Sequence, residues 1–372
     1  MTSSLSYIAL SAFDIVALVT VIGTLGCCLW IVPKPARPFL DGGLWRLLGV
    51  GLAALTFSSG ALLVGRILEM SRQPIAQLPH WLPLVLKDTL FGHIWLFRAG
   101  MVLLMWLTWN LGRLPARKPT ACIILFVAAA AVAFTRSATG HPADQGQWSA
   151  PEWVDFIHLM AGSLWAGGLF AMSIAVFPAI GNRAIPPNTW ADLVKNLSLV
   201  ATLALGGVLL TGLLASIHYL GHLSALWDTP YGRTLLIKLT LVVGAILLGA
   251  ANRFFLVPRI EAAVRPRTPH PTTPLSPSDT NPLRWLAVSV AVEAIVLLGV
   301  LVAAAVLLHG MPPQEMDHTL GGSMARARET SPNARLTATR ACGIVVTGAS
   351  KKTGKDLMRY NNRVKARCIA TI

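Results

Sequence analysis

The chain has 372 residues, 54% of them hydrophobic and only 13% charged, with a mean hydropathy of +0.60. This composition excludes an ordinary soluble domain and indicates a polytopic helical membrane protein whose main partner is the lipid bilayer. The formal net charge of +15 suggests nucleic acid, but the charge is sorted by membrane side, so no nucleic-acid partner is expected.

In chain order, apolar runs predict eight transmembrane helices over 9–32, 44–69, 89–111, 120–136, 153–180, 193–218, 234–256 and 285–308. Each run is too long and continuous for a strand, and a barrel would alternate apolar and polar residues. The expected fold class is therefore all-α. No Lys or Arg precedes the first run, so it reads as an uncleaved anchor rather than a secretory signal.

The loops set the orientation. Thirteen Lys and Arg residues fall on the side of loops 1–2, 3–4, 5–6 and 7–8, among them Lys34, Arg37, Arg113, Lys118 and Arg259. Five fall on the other side: Arg66, Arg72, Lys87, Arg136 and Arg233. The positive-inside rule then places both termini outside. Segment 265–283 is rich in Pro, Thr and Ser and reads as a linker before the last span. Residues 1–310 are expected to form the membrane domain, and 311–372 a basic, disordered tail. The tail's V-V-T-G-A-S-K-K-T-G-K at 345–355 has five residues between Gly348 and Gly354 where a phosphate loop needs four. It also lacks a βαβ context, so no nucleotide is expected.

With this orientation, eight of the nine histidines fall on or near the outer side: His80, His93, His141, His158, His218, His222, His309 and His318. Only His270 is inside. His158 lies ~8 Å below Trp153 at the helical rise per residue. Asp155 and His158 are three apart and share a helix face, with Gly162 and Ala166 extending the stripe. Imidazoles with the thioethers of Met101, Met105, Met311 and Met316 suit copper better than Mg²⁺ or Ca²⁺. Candidate metal ligands are thus His158, His141, His93, His218 and His222; no catalytic residue is expected.

Polar groups inside the spans include Asp14, Arg98, Lys238 and Glu293, which are costly there and argue for a role. Lys238 and Glu293, on adjacent spans, suit either a neutralising pair or proton or ion coupling. Asp155 is placed to orient His158, since a ligating imidazole usually donates its other N–H to a carboxylate or carbonyl. Cys27, Cys28 and Cys122 lie toward the inner ends of spans 1 and 4, where they are either small packing residues or soft exit-side ligands for Cu(I). The chain holds five cysteines, an odd number that argues against a disulfide framework.

Several segments together resemble the copper resistance protein D (CopD) family. They are G-H-P-A-D at 140–144, H-L-M-A-G-S-L-W-A-G-G-L at 158–169, T-P-Y-G-R-T-L-L-I-K at 229–238 and N-R-F-F-L-V-P at 252–258. Glu293 and F-G-H-I-W-L-F-R at 91–98 add to them. Pro142 stands where the family usually has Ala, and the tail from about 325 has no counterpart. The resemblance covers 1–310, most strongly 135–310. It implies an eight-helix protein of the bacterial inner membrane that moves copper, received outside from a small periplasmic carrier of the CopC type. It also draws attention to the outer histidines and Asn252. Two alternatives stay open: a haem-binding membrane cytochrome, for which a second inner histidine pair is missing, and a copper sensor or scaffold without flux.

Overall fold

A computed structural model describes residues 2–114, 117–140, 148–180, 185–220, 224–264 and 281–310. These form helices α1 (Thr2–Gly26), α2 (Arg37–Ser71), α3 (Leu78–Asp88), α4 (Leu90–Leu111), α5 (Lys118–Ser137) and α6 (Ala150–Ala171). They continue with α7 (Pro187–Leu220), α8 (Ala225–Asp228), α9 (Pro230–Ala251), α10 (Val257–Val264) and α11 (Asn281–Leu308). No strand occurs among the described residues. Eight helical segments are long and apolar enough to cross a membrane: Leu5–Ile31, Lys34–Ser71, Leu90–Leu111, Lys118–Ser137, Ala150–Ala179, Asn188–Ile217, Pro230–Ala262 and Pro282–Leu308. The eight expected spans are all present, most of them longer at one or both ends. Their outward faces carry exposed Leu, Ile, Val and Phe, such as Leu203, Leu210, Ile237 and Ile295, as a helix facing lipid requires. Of the expected linker 265–283, residues 265–280 lie outside the described residues, as do 311–372, while 281–283 already open α11.

The eight spans form two four-helix halves that repeat each other. Within the first, α1 packs on α2, α4 on α5, and α1 on α5; within the second, α6 packs on α7, α9 on α11, and α6 on α11. Across the halves the contacts also exchange, with α1 against α11 and α6 against α5. The halves meet at Gly23 of α1 and Gly167 of α6. A Cβ on Gly23 would strike the Gly167 backbone, and one on Gly167 the Val19 carbonyl. Only a hydrogen on each Cα lets the helices come this close, the usual role of small residues at a membrane helix crossing. Spans 1 and 5 are both odd-numbered and cross in the same direction, so this is a parallel repeat about an axis along the membrane normal.

Local sequence repeats as well. Asp88-Thr89-Leu90-Phe91-Gly92 opens α4, and Asp228-Thr229-Pro230-Tyr231-Gly232 opens α9. Thr89 caps α4 by accepting from the Gly92 amide, and Thr229 caps α9 by accepting from that of Gly232. Each glycine is pressed against the preceding short helix: a Cβ on Gly92 would strike the Val85 carbonyl, and one on Gly232 that of Ala225. Nine residues after each threonine comes an in-span cation, Arg98 or Lys238.

α1 ends in a π-helical turn, Cys27–Ile31, and α6 in another, Met172–Val176; α9 passes through a third, Asn252–Leu256. Such turns widen the helix and re-aim side chains, and they recur at functional sites. The turn of α1 rests on α7, where Asn196 Nδ2 donates to the Ile31 carbonyl at 3.2 Å. The turn of α6 rests on α2, the matching partner in the other half.

The start of α6 is fixed with care. Ser149 caps it by accepting from the Glu152 amide, and Glu152 reaches back to accept from the Trp148 amide at 2.7 Å. Trp148, at φ 62°, stacks on Phe134. This anchor sets the rotation of Asp155 and His158, about one and two turns further along α6.

Candidate functional site

Asp14 is the hub of the first half. It is fully buried in α1 and takes five hydrogen bonds. Arg98 of α4 donates through one terminal nitrogen to both carboxylate oxygens, at 2.9 and 3.0 Å. Arg136 of α5 donates at 2.7 Å, and Ser58 and Ser59 of α2 at 2.7 and 3.4 Å. Arg136 also donates to Ser11 at 3.0 Å, and Arg98 Nε to Ser59 at 3.0 Å. One carboxylate thus ties all four helices of the half together. Two arginines against one aspartate leave an excess of positive charge, and Asp155 of α6 lies within electrostatic range of Arg136.

Lys238 stands where Arg98 stands in the other half, and Asp155 lies on α6, the helix that corresponds to α1. Asp155 and Lys238 interact electrostatically, yet no ion pair joins them. Asp155 instead accepts from Ser137 at 2.6 Å.

The orienting partner expected for His158 was Asp155, but the structure supplies Thr211 of α7. His158 Nδ1 lies 2.9 Å from Thr211 Oγ1. Thr211 has one hydroxyl hydrogen, and its oxygen lies 2.5 Å from the Gly207 carbonyl one turn back, a bond that a helical threonine makes readily. With that hydrogen spent, the imidazole donates from Nδ1 to the hydroxyl oxygen, and the Val208 carbonyl beside the ring is a second acceptor. Nε2 then carries the lone pair, the form in which a histidine binds a metal. Gly212 of α7 lies against the ring, where a Cβ would stand 3.4 Å from His158 Cε1, an ordinary contact distance.

Of the other candidate ligands, His93 is exposed on the first turn of α4. His218 ends α7 with its side chain outside the described residues, and His141 and His222 fall outside them altogether. No group of three or more His, Cys, Asp or Glu gathers into a metal-binding cluster among the described residues.

Glu293 does not pair with Lys238. It is buried among three spans, accepting from Trp165 Nε1 of α6 and from Asn252 Nδ2 of the α9 π turn, both at 3.2 Å. Asn252 Oδ1 is buried without a partner, so the cluster still has an acceptor to offer.

The three cysteines separate. Cys27 Sγ faces the Gly168 carbonyl across the α1–α6 crossing at 3.7 Å and serves packing. Cys28 and Cys122 are interacting neighbours that line one cavity between α1, α2 and α5.

Two family models match the chain. One described as copper resistance protein D-like, N-terminal domain, matches residues 1–150, and one described as copper resistance protein D matches 191–307. The chain belongs to the copper resistance protein D family. Within that family, it is 25% identical over 238 residues to copper resistance protein D of Pseudomonas syringae pv. tomato, covering 62% of this chain and 72% of that protein. It is 29% identical over 191 residues to the copper transport protein CutJ of Bacillus subtilis (strain 168), covering 48% of this chain but only 33% of that one. The chain thus spans about a third of the CutJ protein's length. No solved structure matches. The two matched segments flank residues 151–190, which hold Asp155, His158 and Trp165.

Reading the sequence alone misses Thr211, Ser137, Arg136 and Trp165 as partners. A threonine facing its own helix carbonyl carries no sequence signal. The D-T-x-F/Y-G repeat, by contrast, stands in the sequence and pairs Arg98 with Lys238.

Proposed function

We propose that this member of the copper resistance protein D family moves copper across a bacterial inner membrane, receiving the ion on the periplasmic side at His158. The observation that carries the reading is the hydrogen-bond chain from His158 Nδ1 through Thr211 to Gly207, which leaves Nε2 as a lone-pair donor. An imidazole held this way suits copper. The printed names of both relatives, a copper transport protein and a copper resistance protein, support the same substrate. On this reading His141, His93, His218 and His222 collect the ion at the outer surface, where a CopC-type carrier delivers it. Asp155 and Lys238 beside the entrance, and Glu293 with Asn252 deeper in the bundle, are the groups that compensate a moving positive charge. The Asp14–Arg98–Arg136 clamp holds the half against which they work. The driving force is a gradient or the membrane potential.

Copper accumulation in cells expressing His158→Ala and His141→Ala tests this reading. Both variants are expected to accumulate less than wild type at equal membrane abundance. Wild-type accumulation by both removes these residues from the route, and a Soret band in the purified protein would replace copper with haem.

A further inference from the structure

We infer that Cys28 and Cys122 form a two-coordinate Cu(I) site at the end of the bundle opposite His158; this rests on the copper reading above and assigns the ion a ligand on the other side. Cys28 comes from the π-helical turn of α1 and Cys122 from the first turns of α5, 94 residues later, and they meet side chain to side chain. They line a cavity of about 240 Å³ together with Arg37, Asp41, Trp45 and Lys118.

The surroundings fit an anion made of two thiolates and one Cu(I). Binding follows 2 RSH + Cu⁺ → [Cu(SR)₂]⁻ + 2 H⁺, with no change of oxidation state, so the loaded site carries one negative charge. Arg37 and Lys118 bring two positive charges and Asp41 one negative, with Lys118 3.3 Å from Asp41. The wall therefore has one uncompensated positive charge before binding and none after. Two donors on the same cavity wall, Arg37 Nε and Trp45 Nε1, are buried without an acceptor. Buried donors are rarely left unpaired, and thiolate sulfurs are acceptors for them. Thiolates select Cu(I) over harder ions. Cys27, turned to the Gly168 carbonyl, takes no part.

The test uses the full chain with Cys342→Ser and Cys368→Ser, which removes the two remaining thiols. The purified protein is loaded with Cu(I) under anaerobic, reducing conditions. X-ray absorption is expected to report copper with two sulfur neighbours, a reading that needs no change at the site. Adding Cys28→Ser or Cys122→Ser is expected to weaken Cu(I) retention against a chelator by more than ~10-fold, at least the loss that changes around a metal's ligands bring. Adding Cys27→Ser is expected to leave it unchanged. A copper environment without sulfur, or equal retention in the Cys28→Ser and Cys122→Ser proteins, overturns the site. Failure of wild-type cells to accumulate copper overturns the transport reading instead, and the two results are independent.

Discussion

Each half of the bundle places an aspartate on its first spanning helix and a cation on its third, and the two halves use them differently. In the first half Asp14 is closed: two arginines and two serines fill its oxygens, and four helices are tied to it. In the second half Asp155 holds Ser137, Lys238 stands near it without an ion pair, and the adjacent His158 keeps a nitrogen lone pair. The first half's network is saturated, and the proposed copper route draws on the groups that the second half leaves open. A planar guanidinium that bridges the carboxylate and a serine, as both arginines do, suits a permanent clamp, whereas a lysine ammonium is a point charge on a flexible stem.

The largest expected effect is at the closed site. Asp14→Ala leaves Arg98 and Arg136 buried without their carboxylate, a loss of ~3–5 kcal/mol for breaking one partner of a buried network. The protein is expected to lose most of its membrane abundance and its thermal transition in detergent. Asp155→Ala should cost less, about 1.5–3 kcal/mol for a hydrogen bond to a charged group, and leave abundance largely intact. Equal losses from the two substitutions would break the distinction between the halves.

Hydropathy made the eight spans legible, because an apolar helix announces itself by length and composition. The side-chain networks were less so. Asp155 and His158 are three apart, which on a helix is 300° of rotation and leaves about 60° between them. That gap is enough for one to turn to Ser137 on α5 and the other to Thr211 on α7. Spacing along one helix could not say which neighbour each would meet. Lys238 and Glu293 were legible as costly charges on adjacent spans, but Glu293 meets Asn252, which the π turn of α9 carries. The cysteines were legible as a group near one end, while the separation of Cys27 from Cys28 follows from the rotation of consecutive side chains toward α6 and α5.

The smallest effect sharpens the comparison most. Thr211→Val keeps the shape of the side chain and removes the hydroxyl that holds His158 Nδ1. The first half is untouched, so the fold should lose no more than about 1 kcal/mol, the net value of one hydrogen bond. Copper binding to the purified protein should weaken by ~10–100-fold, the usual effect of losing a group that orients a metal-binding histidine. Thr211→Ser restores the hydroxyl and should restore affinity. Isothermal titration with copper, alongside a melting curve, reads both quantities on one sample. A Val variant that binds copper like wild type would mean that the imidazole is not poised by Thr211, and that the open half differs from the closed one in charge alone.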